Sequence, residues 1–178
     1  MEKLKSTFDV DVHWRSYQLR PPGSPPISPE YRARIAQADA RLNQIARDSY
    51  GLKLNRGPFG IESRPSLIGE KYAEAQGKGE AYHEVVQDAY WQEARAIDDI
   101  GVLKELATSV GLDPAEFEAA LKNPEYEAAV QADIQQAYEF GLSGVPALIF
   151  ENKYLVSGAQ PFDVLQRVVQ QIEGEMQG

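Results

Sequence analysis

Two short apolar runs near the C-terminus restrict the fold of this chain more than any other feature. Ala147-Leu148-Ile149-Phe150 is continuous and apolar, Glu151-Asn152-Lys153 interrupts it, and Tyr154-Leu155-Val156-Ser157 resumes it. Runs of this length suit a buried strand and are too short for a helix. Asn152 tolerates the left-handed backbone of a tight turn, so the two runs are predicted to pair as an antiparallel hairpin. Gly158 to Gln160 then form a loop, and Pro161 opens a last helix with Phe162, Leu165, Val168, Val169 and Ile172 on one face.

A second strand signal lies near the N-terminus. Phe8-Asp9-Val10-Asp11-Val12-His13-Trp14 alternates apolar and polar residues, the pattern of a strand with one buried face. More than a hundred residues separate it from the hairpin, and they read as helices divided by caps and breakers. Pro21-Pro22-Gly23-Ser24-Pro25-Pro26 is an extended loop. Ser28 caps a long helix with Pro29 at its first position, and Gly51 closes it. Residues Gly57 to Ser66 form another loop, followed by a helix to Gln76 that stops at Gly77. The next helix spans about Gly79 to Ala96 and places Tyr82, Val85, Val86, Ala89 and Tyr90 on one face. Asp98 or Asp99 caps a further helix ending near Gly111. Asp113-Pro114-Ala115-Glu116 has the form of a capping box. Asn123-Pro124 starts the last helix of the block, which is expected to bury Tyr126, Val130, Ile134, Ala137 and Tyr138 and to end at Gly141. An α/β sheet carrying an all-helical insertion accounts for this order. The core is assigned to residues 1–16 and 143–178, and the helical insertion to residues 17–142.

Composition removes several function classes. The net charge of −9 opposes binding to nucleic acid or to an anionic membrane surface. No apolar run approaches the ~20 residues of a membrane span, and Met1-Glu2-Lys3-Leu4-Lys5 lacks the apolar stretch of a secretory signal. The chain is therefore expected to be soluble and cytoplasmic. With no cysteine, disulfides, thiolate metal sites and thiol mechanisms are all excluded for these residues. The two histidines, His13 and His83, lie far apart in sequence and outside any metal-binding spacing, so they read as surface or half-buried side chains. Trp14, Arg15, Tyr17 and Trp91 read as core or loop anchors. Glu93, Asp98 and Asp99 read as a solvated face with an N-cap. No metal or cofactor site, catalytic triad or phosphate loop is legible.

Three stretches resemble the DsbA-like thioredoxin-fold proteins, in particular the FrnE-like branch related to the 2-hydroxychromene-2-carboxylate isomerases and kappa-class glutathione transferases. They are Val12-His13-Trp14-Arg15-Ser16-Tyr17-Gln18-Leu19-Arg20-Pro21; Tyr72-Ala73-Glu74-Ala75-Gln76-Gly77-Lys78 with His83; and Gly144-Val145-Pro146 through Val156-Ser157-Gly158-Ala159-Gln160-Pro161. The resemblance implies a thioredoxin-like core with a large helical insertion and a family activity of thiol-disulfide exchange. It also implies that the family's first strand, its CxxC motif and most of its first helix are absent, since Glu2-Lys3-Leu4-Lys5 resembles the end of that helix. No catalytic residue carries over, and the chain is expected to be inactive in thiol exchange.

What does carry over is the proline loop. By resemblance, Gly144, Val145 and Pro146 form a substrate-binding loop with a cis Val145–Pro146 bond, where the Val145 backbone would pair with a thiol-containing peptide or glutathione as an added strand. In the family sheet the absent strand would lie between Phe8–Trp14 and Ala147–Phe150. The chain is then expected to pair these two strands directly, or to self-associate through its sheet edges. Two further readings stay open here. One is a non-catalytic module that binds peptide, glutathione or a partner protein. The other is a glutathione-dependent isomerase or transferase relative, whose catalytic serine would also fall in the absent segment.

Overall fold

The computed structural model describes residues 1–20 and 23–176. Pro21 and Pro22, within the loop expected over 21–26, lie outside the described residues, as do Gln177 and Gly178. The elements in chain order are α1 (Glu2–Thr7), α2 (Pro29–Tyr50), α3 (Arg64–Ala75), α4 (Gly79–Trp91), α5 (Ile100–Ser109), α6 (Pro114–Ala120), α7 (Pro124–Glu139), β1 (Ala147–Phe150), β2 (Tyr154–Ser157) and α8 (Phe162–Met176). They fall into two compact units, residues 20–132 and residues 1–19 with 133–178. The division falls inside α7.

The helical unit is held by caps and by one aromatic core. Ser28 Oγ accepts the Tyr31 N–H at the start of α2, and Asp99 accepts the N–H groups of Gly101 and Val102 at the start of α5. Asp113 does the same for Ala115 and Glu116 at α6, and Asn123 for Glu125 at α7. Each side chain satisfies donors that the first helical turn leaves without carbonyl partners. Between the helices, Tyr72, Tyr82, Val86, Leu103, Leu106, Leu112 and Phe117 form a contiguous buried cluster. The Phe117 ring lies 6.0 Å from that of Tyr72 and 5.5 Å from that of Tyr82, at inclined angles that suit aromatic quadrupoles.

α4 ends at Trp91 rather than near Ala96 because the preceding loop takes its carbonyls. Asn55 N–H donates to Trp91 O and Gly57 N–H to Tyr90 O, and Ala94 then turns through a positive φ of 58°. Gly57 is required at this approach, since a Cβ there would sit 2.5 Å from the Arg95 carbonyl. α3 likewise starts earlier than the expected loop end, at Arg64, with Pro65 in its first turn. In α7, Val130, Ile134 and Ala137 are buried, but Tyr138 is 51% exposed, at the margin of the apolar stripe. Among the described residues, no helix is long and apolar enough to cross a membrane.

In the other unit, β1 and β2 form the sole sheet among the described residues, with Ala147 opposite Ser157, Leu148 opposite Val156, Ile149 opposite Leu155 and Phe150 opposite Tyr154. Glu151 and Asn152 both adopt positive φ, 51° and 52°, and Lys153 N–H closes the turn on Phe150 O. β1 is half-buried along its length, not buried as its apolar run suggested, because only one strand flanks it. α8 buries Val169 and Ile172, and Leu4 of α1 is 2% exposed. Lys3 Nζ sits 4.3 Å from the centre of the Phe162 ring, linking α1 to α8.

Phe8–Trp14 is not a strand. The segment is extended where α1 gives way to it, with Phe8 at φ −130° and ψ 153°, but no ladder forms and it does not pair with β1. The period-two signal survives only as burial: Phe8, Val10 and Val12 are half-buried, and Asp9, Asp11 and His13 are exposed. Alternation specifies which face is covered, whereas a strand also needs a neighbour in hydrogen-bonding register.

Candidate proline-loop site

The candidate site is the segment that joins α7 to β1. Gly141 leaves α7 at a positive φ of 70°, and Leu142 N–H returns to Ala137 O, a helix ending that needs no Cβ. The Leu142 carbonyl lies 3.5 Å from the Tyr17 hydroxyl, which donates to it. From there the chain enters Gly144-Val145-Pro146. Gly144 is half-buried, while Val145 and Pro146 are exposed, Val145 by 50%. The Val145–Pro146 peptide bond is cis. A proline biases the residue before it towards extended backbone.

One hydrogen bond sets the phase of this edge. Gly158 N–H donates to Pro146 O at 2.8 Å, which makes Pro146 the first β1-side residue turned towards β2. In an antiparallel ladder the bonded positions recur every second residue. Pro146, Leu148 and Phe150 therefore face β2, and Ala147 and Ile149 direct their N–H and C=O groups to the opposite side. Among the described residues, no hydrogen bond outside the hairpin ladder reaches the backbones of Val145, Ala147 and Ile149. The structure sets Gly144, Val145 and Pro146 directly ahead of β1. It adds Ala147 and Ile149, whose contribution is backbone only and leaves no trace in side-chain identity.

In the same unit, the segment after Trp14 is pinned by a carboxylate that no sequence motif marks. Asp133 is 7% exposed and accepts the Ser16 N–H at 2.9 Å and Arg15 Nη1 at 3.3 Å. The signal was present: Asp133 interrupts the apolar stripe of α7 between Val130 and Ile134. Trp14 is 39% exposed, and Arg15 and Tyr17 serve as anchors. At the far end of the hairpin, Glu175 of α8 accepts from Lys153 Nζ at 3.0 Å and from the Tyr154 hydroxyl at 2.5 Å. The hydrogen bond from Tyr154, then those from Gln171 and Lys153, pull the Glu175 carboxyl down to about 2. His13 meets Asp11 on the surface, and His83 meets Glu70 at 2.8 Å in the helical unit. Neither histidine lies near the loop in sequence, and each is engaged by a carboxylate.

The structure thus presents a hairpin led by a proline loop, followed by α8 and preceded by a helical block. The chain belongs to the DSBA-like thioredoxin domain family, whose model matches residues 1–170. It is 29% identical over 164 residues to the uncharacterized protein YwbO of Bacillus subtilis, covering 90% of this chain and 82% of that one. Over 80 residues it is 39% identical to the thiol:disulfide interchange protein DsbL of Lelliottia amnigena, 43% of this chain and 32% of the other. Among solved structures, a probable DsbA oxidoreductase of Streptomyces coelicolor matches at a TM-score of 0.71 and 28% identity. That match covers 81% of this chain and 62% of the Streptomyces chain. A 2-hydroxychromene-2-carboxylate isomerase shares the fold at a TM-score of 0.76 and 21% identity, over 98% of this chain and 85% of its own. The fold is thus the thioredoxin-like DsbA fold, rich in helix and with a small two-stranded sheet.

Proposed function

We propose that this chain works as a strand-accepting module at the proline loop and does not itself exchange thiols for disulfides. The observation that carries the reading is the set of free backbone groups at Val145, Ala147 and Ile149. Val145 is the rung for an extended thiol-containing peptide or for glutathione, a β-augmentation site next to Pro146. Ala147 and Ile149 are the rungs for a neighbouring strand, which a second copy supplies by edge pairing. The FrnE-like assignment within the family rests on the same proline-loop and hairpin residues. Thiol exchange needs an attacking thiolate, and the sequence contains no cysteine.

The energetics set the expected strength. Two backbone hydrogen bonds at Val145 contribute about 1–3 kcal/mol net, and a Kd of 1 mM already requires about 4 kcal/mol. Binding is therefore weak unless side-chain contacts add to it. The test is an amide NMR titration of the full chain with reduced glutathione and, separately, with a cysteine-containing tetrapeptide and its serine analogue. The expected result is a shift centred on the Val145 amide with a midpoint between about 5 mM and about 0.2 M. No shift at Val145 with any of the three at tens of millimolar would overturn the binding reading. An insulin-reduction assay is expected to show no rate above that of the reductant alone, and a rate above it would refute the inactivity.

A further inference from the structure

The longest helix, α2, turns the wrong stripe towards its own protein. Tyr31, Ile35, Ala38, Leu42 and Ile45 recur at alternating intervals of four and three residues, the a/d spacing of a two-helix seam. A helix that packed by this pattern would turn that stripe inward. Instead Ile35, Asp39 and Asn43 are half-buried and Ala46 is buried. Asp39 is fixed there by Arg56, at 2.8 Å. Tyr31, Leu42 and Ile45 are left 41%, 43% and 44% exposed. At about 100° per residue the centres of the two stripes lie roughly 75° apart around the helix, and Ile35 belongs to both.

We propose that the exposed stripe of α2 pairs antiparallel with α2 of a second copy of this chain. Both the apolar residues and the charges support that occupant and direction. In an antiparallel register centred between Ala38 and Leu42, Ile35 meets Ile45 of the second copy and Ala38 meets Leu42, so a small residue faces a large one. The same register sets Arg34 of each copy against Asp48 of the other, twice by symmetry. Both residues are exposed, and Arg34 is held at the edge of the stripe, 5.1 Å from the Tyr31 ring centre. The single exposed like-charge contact is Arg41 with Arg41 at the dyad, where two long side chains can diverge into solvent. Asp39 also meets Asp39 on the inner flank, and each is neutralised by its own Arg56. A parallel register serves the charges less well. It would direct Arg34 to Asp39, which Arg56 already occupies, and would leave Arg41 without an acidic partner.

The test is sedimentation equilibrium of the full chain, with circular dichroism to verify that each variant is folded. The expected result is a reversible dimer. Leu42→Glu should weaken it at least tenfold, and Arg34→Glu and Asp48→Arg should each weaken it several-fold. The double variant Arg34→Glu/Asp48→Arg should return to within about twofold of the wild type. Gln87→Lys, exposed on α4, should leave this dimer unchanged, and sensitivity to Leu42→Glu separates it from edge pairing. Three results would overturn the inference: a monomer at all concentrations, a dimer indifferent to Leu42→Glu, or no recovery in the double variant. Binding of α2 to anionic vesicles by a chain that stays monomeric would equally retire the second copy as its occupant.

Discussion

Replacing Tyr82 with phenylalanine is predicted to stabilise the protein. Tyr82 of α4 is fully buried against Gly69 of α3 and Phe117 of α6, and its hydroxyl has no hydrogen-bond partner among the described residues. An unpaired buried donor costs about 1–3 kcal/mol in lost hydration. Deleting one oxygen from a tight site returns some of that gain as lost dispersion contacts. The site is tight, since a Cβ built on Gly69 would lie 2.7 Å from this hydroxyl and 2.6 Å from Phe117 Cζ. The net expectation is a gain of about 1 kcal/mol, or a melting temperature roughly 2–4 °C higher for a chain of this size. Urea denaturation followed by far-UV circular dichroism measures it directly. Burial, and secondarily the charge of Glu70, also push the Tyr82 phenol far above the usual tyrosine range. The folded state therefore keeps this proton while the unfolded chain releases it near pH 10. The shift therefore leaves stability unchanged below that pH and lowers it progressively as pH rises above it. In an absorbance titration, one of the nine tyrosines should stay neutral until alkaline unfolding, and Tyr82→Phe should remove that late component. A loss of about 1 kcal/mol or more in Tyr82→Phe would refute the reasoning, because it would mean the hydroxyl is satisfied within the fold.

Three further outcomes follow from the same packing. Asp133→Ala should destabilise the chain by about 1.5–3 kcal/mol, since it strands the buried Ser16 N–H and releases Arg15; limited proteolysis should then cut first between residues 8 and 18. Asp113→Ala should cost about 1 kcal/mol by removing the cap of α6, read as a lower urea midpoint at unchanged slope. The Glu175 tie to Lys153 and Tyr154 should persist well into acid: with the folded carboxyl at about 2 and its ordinary value at 4.5, its contribution is present above pH 4.5 and fades as pH falls through about 2. Carboxyl chemical shifts of Glu175 against pH would report it, and a midpoint near 4.5 would refute the tie.

The hairpin and the capped starts of α2, α5, α6 and α7 were legible because each is coded locally. Asn152 supplied a left-handed turn residue, and Ser28, Asp99, Asp113 and Asn123 are short acceptors placed one residue before a helix. Phe8–Trp14 was misread because alternation records which face is covered, while pairing depends on a neighbour that no local pattern specifies. Tyr138 and Ile134 have similar apolar spacing, and only the width of the covered face decides that one is buried and the other exposed. At the candidate site, Gly144, Val145 and Pro146 stood out in the sequence only through the family resemblance, whereas Ala147 and Ile149 offer backbone groups common to every residue. The stripe of α2 was readable as helical, but its outward direction depends on Asp39, Asn43 and Arg56 claiming the inner face.

Residue-resolved amide hydrogen exchange across residues 145–150 tests the central claim most directly, because it reads the phase of the free edge. Leu148 and Phe150 should exchange slowly, bonded to β2, while Val145, Ala147 and Ile149 exchange at nearly unprotected rates in the monomer. Added cysteine-containing peptide should then slow Val145 selectively. Equal protection at all five amides, or slow exchange at Val145 before any ligand is added, would contradict a strand-accepting edge.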